Sequence, residues 1–321
     1  MRILEHTITP QEAGQALRIL VPKLFHLSSH AFRRLKVHGN IRVNGEPRHV
    51  SYCPEAGDLL AIHLQSETVR MNETRISAPD TLNEQNCGQR LIVYMDDDLL
   101  IADKPAPMAT LPGRFTGGDT LRKRLEDVLG LNTDAPYHPV NRLDKGTSGL
   151  LCIARHDHAQ HLLTQSLHSG AFVREYLAVT DGIPDKQTGI IRAPIARAGS
   201  GARRIIREDG KPAVTRYTVL YAEQETGRAL VRLKLETGRT HQIRVHLASI
   251  GCPVAGDYLY GREHPGLKDR FALHSAYLRC TQPITGQKIE CTSPLPESLR
   301  ILFACPEYIP DIQMQFPETA D

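Results

Sequence analysis

Residues 66–89 divide the chain, because this stretch (SETVRMNETRISAPDTLNEQNCGQ) has almost no apolar periodicity and carries four acidic against two basic residues. A polar segment of this kind predicts a linker rather than a packed element. A chain of 321 residues has room for about two domains. We therefore expect a small N-terminal domain over 1–65, a linker over 66–89 and a larger domain over 90–321.

Composition excludes several classes of protein. No apolar run approaches the roughly 20 residues that a membrane span needs, and charges of both signs near the N-terminus argue against a signal peptide. The seven cysteines form no C-x-x-C pair, which disfavours a zinc ribbon and a thioredoxin-like centre. Scattered single cysteines are typical of a reducing compartment, so we expect a cytoplasmic protein.

The N-terminal segment begins with two predicted helices. Residues 11–25 predict a short helix that Pro22 interrupts. Residues 28–38 predict a second helix, which Ser28 or the next serine caps and Gly39 ends in a left-handed turn. The apolar residues of this second helix fall on one side and its basic residues spread over the other.

Short strands and a basic charge balance complete the segment. Residues 41–43 predict a strand that enters an Asn44-Gly45 turn, and residues 59–64 predict a closing strand. Residues 1–65 contain eight Lys and Arg against five Asp and Glu. A compact basic module indicates a polyanion partner, with nucleic acid first, although a solvated charged face accounts for the charge equally well.

Two helices, the sequence G-N-I-R-V-N-G-E and a later G-D before the last strand together resemble the S-four-type RNA-binding module. The resemblance implies that four basic side chains face RNA phosphates, namely Arg33, Arg34, Lys36 and Arg42. The alternative is a small structural cap whose helix is only incidentally basic.

Three successive aspartates, Asp96 to Asp98, separate apolar runs at 91–94 and 99–102. Successive side chains do not converge on one ion, so the pattern favours a hairpin turn between two strands over a divalent metal site. A helix is expected over 120–129, ended by Gly130.

The segment H-P-V-N-R-L-D-K-G-T-S-G-L-L, residues 138–151, predicts a loop that runs into an apolar strand at 150–154. Its one acid, Asp144, stands between Arg142 and Lys145. A carboxylate on a rigid loop is a candidate nucleophile or general base. From this segment alone, a structural Asx-turn is an equal alternative.

Three further motifs follow in order: R-E-Y-L-A-V (174–179), G-K-P-A-V-T-R-Y (210–217) and G-R-T-H-Q-I-R-V-H-L (238–247). Together with R-L-D-K-G-T-S-G-L-L they resemble the RluA-type RNA pseudouridine synthases from residue 90 to about residue 300. The resemblance implies an α+β fold. It should have a mixed, largely antiparallel curved sheet with flanking helices, beside the small S-four-like domain.

The resemblance also implies site residues for isomerising uridine to pseudouridine. Asp144 would act on the target nucleotide, and the fork of Arg244 would hold that carboxylate bidentately. Tyr176 would stack on the base and take part in removing the carbon-5 proton. Ile243 would pack on the flipped base, and Arg142 would help push it out of its stack.

Two departures from the family pattern concern neighbouring loops. Asn141 stands where the family usually has a histidine, and it can still hydrogen-bond the loop. Pro107 and Leu111 replace the usual residues after Lys104, which leaves the shape of that loop open. Lys104 is nevertheless expected to bind substrate.

The reaction requires no redox cofactor and no metal, and we expect none. His156, His158 and His161 do not share a face of the helix predicted over 157–170, which disfavours a metal site there. Further candidates to contact phosphates are basic residues of the same domain, namely Arg174, Arg203, Arg204, Arg207 and Lys211.

Ribosomal RNA is the expected partner, transfer RNA the alternative, and a monomer the expected state. Two other function classes stay open at this point. One is a non-catalytic RNA-binding or assembly protein on the same fold. The other is a glycosidase-like hydrolase, which needs two carboxylates about 5 to 10 Å apart, and the sequence offers only one strong candidate.

Overall fold

The computed structural model describes residues 2–37, 40–64, 91–113, 118–130, 137–167 and 169–309. The linker predicted over 66–89 and the helix end predicted at Gly39 lie outside these residues. The first segment consists of β1 (Arg2–Thr7), α1 (Leu17–Leu24), α2 (Ser29–Val37), β2 (Ile41–Val43), β3 (Glu46–Pro47) and β4 (Leu59–Leu64). Its strands form one antiparallel sheet in the order β1-β4-β2-β3.

Local chemistry explains most of these elements. The hydroxyl of Ser28 accepts a hydrogen bond from the Ala31 amide and caps α2, as predicted. Asn44 and Gly45 both have positive φ, the conformation that a tight hairpin turn between β2 and β3 requires. The prediction for α1 was wrong, because the helix begins only at Leu17 and runs through Pro22. The proline lies in the last turn of a short helix, where its missing N–H removes a single hydrogen bond.

The second segment holds the larger sheet. In chain order its elements are β5 (Ile92–Met95), β6 (Leu99–Lys104), α3 (Leu121–Leu129), β7 (His138–Pro139), β8 (Ser148–Ala154), α4 (Asp157–Ser166), β9 (Phe172–Asp181), β10 (Thr188–Arg192), β11 (Ile195–Arg197), β12 (Arg204–Ile206), β13 (Val214–Glu223), β14 (Arg228–Leu235), α5 (Gln242–Ser249), β15 (Leu273–Thr281), β16 (Lys288–Thr292) and α6 (Glu297–Arg300). A short 3₁₀ turn follows at Pro306–Tyr308.

The ten-stranded sheet runs β10-β13-β14-β9-β15-β8-β6-β5, with β16 added to β15 and β7 added to β8. Among the described strands every pair is antiparallel except β15 with β8, which confirms the predicted mixed, largely antiparallel α+β fold. The Asp96 side chain accepts hydrogen bonds from the amides of Asp98 and Leu99, so the three aspartates form the predicted hairpin turn. The helix predicted over 157–170 ends earlier, at Ser166.

The parallel contact between β8 and β15 fixes the end of the loop that carries Asp144. Gly149 has φ +105°, and a Cβ added there would lie 2.2 Å from the carbonyl oxygen of Ser275. Only glycine allows the two backbones to come this close. The sequence G-T-S-G-L-L therefore places the loop directly beside β15.

The two segments have separate cores and meet through ion pairs. One buried apolar cluster lies wholly within residues 8–64, and two others lie within residues 99–309. Between the segments, the Arg34 guanidinium donates to the Asp157 carboxylate at 2.6 Å, and Arg2 lies 3.5 Å from Asp98. Across the described ranges, none of the helices has the length and apolar character that crossing a bilayer requires.

Candidate active site

A cleft of about 630 Å³ opens over the middle of the large sheet, and Asp144 lies in its wall. Asp144 belongs to the loop between β7 and β8, and its side chain is 30% exposed. Two hydrogen bonds hold the loop. The Thr147 amide donates to the Asp144 carbonyl and closes a turn directly after the acid. The Asn141 side chain accepts from the Cys152 amide and ties the start of the loop to β8. Asn141 thus holds the loop in the place where the family pattern has a histidine.

Arg244 of α5 binds the Asp144 carboxylate with one nitrogen, Nη1, at 3.0 Å. The expectation of a bidentate fork to Asp144 was wrong. The fork goes to Asp257, which accepts from Nε at 2.6 Å and from Nη2 at 2.8 Å. Asp257 is fully buried, and it takes the Nε and Nη2 edge of the guanidinium through two parallel hydrogen bonds. Asp257 therefore anchors the guanidinium, and its remaining nitrogen reaches the loop acid.

Aromatic rings close the space around this guanidinium. The Arg244 carbon Cζ lies 4.1 Å from the centre of the Phe271 ring and 5.1 Å from that of Tyr260. Burial lowers the pKa of Arg244, but hydrogen bonds and charges from Asp257 and Asp144 raise it by more. Arg244 is therefore a permanent cation held between two carboxylates and two ring faces.

Asp257 is thus a second carboxylate near Asp144, and a glycosidase-like hydrolase would need two such carboxylates. The two oxygens of Asp257 are both bonded to Arg244, and Oδ1 also accepts from the Leu259 amide. Fully buried in this way, Asp257 has no surface from which to act on a substrate in the cleft. Asp144 and Asp257 therefore cannot serve as the two facing carboxylates of a glycosidase.

His241, the N-cap residue just before α5, is a further neighbour of the loop acid. Its Nε2 lies 3.7 Å from the Asp144 carboxylate, and its Nδ1 is 2.9 Å from the Tyr260 hydroxyl. Burial lowers the pKa of His241, while the charge of Asp144 opposes that shift. The sequence motif contained this histidine, but its spacing alone did not place it beside Asp144.

The other predicted catalytic-domain residues divide between the cleft and its surroundings. Tyr176 and Ile243 are buried in the cleft wall, and Arg142 lies exposed at its edge. Burial raises the pKa of Tyr176, so its hydroxyl keeps its proton at neutral pH. The structure therefore brings Asp144, Arg244 and Tyr176 around one cavity.

Lys104 lies behind the loop and not among the residues that line the cleft. Its side chain is fully buried, and Nζ donates to the carbonyls of Met108, at 2.7 Å, and Pro105, at 3.1 Å. Burial lowers its pKa to about 7, although the charge of Asp144 opposes the shift. This position holds the 105–108 loop in shape, and its expected contact with substrate stays a prediction.

Ser148 and His274 fasten the far end of the loop to β15. His274 Nε2 lies 3.2 Å from the carbonyl of Ser293, which can only accept, so this nitrogen carries the proton. Nδ1 then accepts from the Ser148 hydroxyl at 2.9 Å. Arg270 also donates to that hydroxyl, at 3.2 Å. His274 is fully buried, and its neutral form completes the network.

Acid is expected to weaken the fold through His274, because burial lowers its pKa from 6.5 to about 4. Between these pH values the unfolded chain binds a proton that the folded chain excludes, so stability present above pH 6.5 is lost as the pH falls toward 4. The contribution amounts to about 2 kcal/mol at pH 5. Urea unfolding at pH 7 and pH 5 measures it.

His274→Asn is the matched variant, since asparagine keeps an acceptor for Ser148 and removes the titrating ring. The difference in unfolding free energy between pH 7 and pH 5 should shrink by about 2 kcal/mol in this variant. An equal difference in the two proteins would show that His274 is protonated in the folded state.

Some of the other histidines and basic residues named from the sequence have local partners. His156 caps α4 and lies 3.0 Å from the Asp98 carboxylate, so it serves the fold. Arg207 is paired with Asp209, and the backbone amide of Arg204 donates to the Tyr260 hydroxyl at 2.7 Å. Within the described ranges no group of three His, Cys, Asp or Glu could hold a metal ion.

Sequence reasoning missed Asp257, Tyr260 and Phe271. The first two stand in G-D-Y-L-Y-G, a run with a buried acid and aromatics between two glycines, to which no role had been given. Their pairing with Arg244 joins residues on α5 to a loop after it. Only that tertiary contact identifies them.

Comparisons with known proteins identify the family of the chain. Residues 98–249 match the family model described as RNA pseudouridylate synthase. The chain is 34% identical over 265 residues to the RNA pseudouridine synthase YjbO of Bacillus subtilis, covering 81% of this chain and 88% of that one. It is 38% identical over 257 residues to the ribosomal large subunit pseudouridine synthase D of Nitrosomonas europaea, covering 76% of this chain and 74% of that one.

Solved structures give the same result. The human RNA pseudouridylate synthase domain containing 1 protein superposes with a TM-score of 0.53 at 29% identity, covering 66% of this chain and 86% of the other. The human domain containing 4 protein superposes with a TM-score of 0.52 at 24% identity, covering 65% and 89%, and supports the fold alone.

Proposed function

The chain belongs to the RNA pseudouridylate synthase family and isomerises uridine in RNA, and from that premise we propose that large-subunit ribosomal RNA is its substrate and Asp144 its central catalytic residue. One observation carries the assignment of the site: the Asp144 carboxylate is held by an anchored Arg244 in the same cleft that Tyr176 lines. The relative in Nitrosomonas europaea, named for the large ribosomal subunit, supports the choice of RNA. Transfer RNA is the alternative.

The reaction breaks the bond between the ribose and N1 of uracil, turns the base, and forms a bond from the ribose to C5. N1 ends with a proton and C5 loses one. Asp144 is exposed to the cleft, while the fixed charge of Arg244 keeps its carboxylate in one orientation. We assign Asp144 the contact with the target nucleotide during bond exchange.

Tyr176 and Ile243 supply the faces for a base that has left its stack. The Tyr176 ring would stack on the uracil, and its hydroxyl would accept the proton from C5 while it releases its own to water, which supplies the proton that N1 gains. Ile243 would pack against the base, and the exposed Arg142 would occupy the gap that the base leaves. Base extrusion costs a few kcal/mol, which such contacts offset.

Pseudouridine mapping of cellular RNA tests the substrate. Cells that lack the gene should lose modification at a defined uridine in large-subunit ribosomal RNA, and the intact gene should restore it, whereas an Asp144→Ala copy should not. A uridine lost from transfer RNA would establish the alternative. Restoration by the Asp144→Ala copy would contradict the catalytic assignment.

Residues 1–65 are proposed as an S-four-like RNA-binding domain, residues 66–89 as a linker and residues 90–321 as the catalytic domain. The separate apolar cluster of the first segment supports this division. Arg34 is committed to Asp157, and Arg42 donates to the Gly45 carbonyl. Arg33 and Lys36 are exposed on α2 and remain the best candidates to meet RNA phosphates.

The double variant Arg33→Gln, Lys36→Gln is expected to weaken RNA binding and to reduce the slope of log affinity against log salt by about 2, since each phosphate contact releases about one counterion. The rate at saturating RNA should stay unchanged, because neither residue lines the cleft. Filter binding over a salt series measures the slope. A slope equal to that of the wild type would favour the structural-cap reading of this domain.

Two further properties are proposed from the sequence pattern. We expect a monomer, which light scattering in solution would test. We also expect a cytoplasmic enzyme, in keeping with the free state of all six cysteines in the described ranges.

A further inference from the structure

Arg174 is a buried cation without an anionic partner among the described residues. It is 5% exposed, and its Nε makes no hydrogen bond. Nη2 donates one long bond, 3.3 Å, to the carbonyl of Leu167. A buried charge that lacks a counterion is strongly unfavourable. A bound anion would neutralise this charge and recover part of that cost.

The side chain of Arg174 lies in the wall of the catalytic cleft. It stands two residues before Tyr176 on β9, so the two side chains share one face of the strand. The next residue, Glu175, points to the other face and pairs with Arg232 at 2.6 Å. On β9, the charge of Glu175 is therefore paired on the face away from the cleft, whereas the charge of Arg174 is unpaired on the cleft face.

Gly238 leaves room around this guanidinium. A Cβ added at Gly238 would lie 3.2 Å from Nη1 of Arg174, which is tighter than ordinary contact. Gly238 also lines the cleft and opens the motif G-R-T-H-Q-I-R. On the other side, the ring of Phe172 lies 5.7 Å from the Arg174 carbon Cζ. The guanidinium is thus held in place with donors left free.

We propose that Arg174 binds one RNA phosphodiester next to the target uridine. A guanidinium without a counterion binds an anion through two parallel hydrogen bonds. RNA offers this anion at every nucleotide, whereas uracil offers only neutral carbonyls. The phosphate would neutralise the buried charge, and Tyr176 on the same strand face would meet the adjoining base. The proposal rests on the proposed function of the cleft.

The Arg174→Gln variant tests the proposal in the full chain, with transcribed large-subunit ribosomal RNA and transfer RNA as probes. For whichever of the two RNAs the wild type binds, the dissociation constant of the variant should be about 10- to 100-fold higher. The slope of log affinity against log salt should fall by about 1. The melting temperature should stay the same or rise, because an uncompensated buried charge has been removed. If Arg174 served only the fold, the substitution would lower the melting temperature.

Arg216→Gln is the matched control, because Arg216 is exposed, pairs with Glu236 and lies outside the cleft. It should leave affinity and salt slope unchanged. Arg174→Lys carries the test if the glutamine variant does not fold. It keeps the charge but loses the two-point contact, so binding should weaken about 3- to 10-fold at an unchanged slope. Wild-type affinity in the variant that folds would overturn the proposal.

Chemical substitution of the RNA locates the contact. In a synthetic RNA that spans the mapped uridine, each nearby phosphate is replaced in turn by a neutral methylphosphonate. Substitution at one of these phosphates should weaken wild-type binding as much as Arg174→Gln does. With that substituted RNA, the affinity of the Arg174→Gln variant should fall by less than about twofold further. If the affinity losses from Arg174→Gln and from the methylphosphonate simply added at every position, Arg174 would contact a group of the RNA other than these phosphates. An RNA that the wild type binds but does not modify would count against the proposed substrate instead.

Discussion

The Asp144→Asn variant should lose on the order of 10⁴-fold of the single-turnover rate of pseudouridine formation. Asparagine keeps the shape of the side chain and can still accept from Arg244, so the loop should stay in place. It removes the charge and the reactive oxygen that face the cleft. The loss should therefore appear in the chemical step, with RNA affinity changed by less than about threefold.

Rapid mixing of excess enzyme with radiolabelled RNA measures that rate, and a melting curve of each protein shows whether the fold is intact. Asp119→Asn is a suitable control, because Asp119 is exposed, pairs with Arg124 and is not among the residues that line the cleft. It should keep the full rate. A rate within tenfold of the wild type in Asp144→Asn would remove Asp144 from the reaction, and a large drop in melting temperature would attribute the loss to folding.

Local patterns predicted the elements that depend on neighbouring residues. Ser28 at the start of α2, Asn44-Gly45 between two strands and Gly130 after α3 all have the expected cap or turn conformation. The start of α1 and the strand β1 were not predicted correctly. β1 is defined by its pairing with β4, more than fifty positions later, and nothing in its own six residues specifies that partner.

The residues of the site also divide into those that sequence motifs identify and those that only tertiary contacts identify. Asp144, Tyr176 and Arg244 were identified because their motifs resemble a known family, and the structure brings them to one cleft. The resemblance could not show which acid receives the arginine fork. That choice depends on the packing of α5 against the loop that follows it, where Asp257 has no access to water. Arg174 shows the same limit, since only its burial and its missing partner distinguish it from other basic residues.

The Asp257→Ala variant is expected to lose about 3 to 5 kcal/mol of unfolding free energy, because it leaves the Arg244 guanidinium buried without its main counterion. For a domain of this size that loss lowers the melting temperature by roughly 6 to 20 °C. Arg244 would also lose the anchor that aims its third nitrogen at Asp144, and a misplacement of about 1 Å lowers the rate about 10²-fold. Calorimetry and single-turnover kinetics measure the two effects.

Asp257→Asn separates the two roles, because its amide oxygen can accept one of the two hydrogen bonds but brings no charge. It should lose less stability than Asp257→Ala while the rate still falls, when both are assayed well below their melting temperatures. Asp209→Ala, which removes an exposed partner of Arg207, should leave the unfolding free energy nearly unchanged, because surface ion pairs contribute little. Full activity in a folded Asp257→Asn variant would mean that one hydrogen bond together with the Phe271 and Tyr260 rings is enough to orient Arg244, and that the charge of Asp257 serves only the fold.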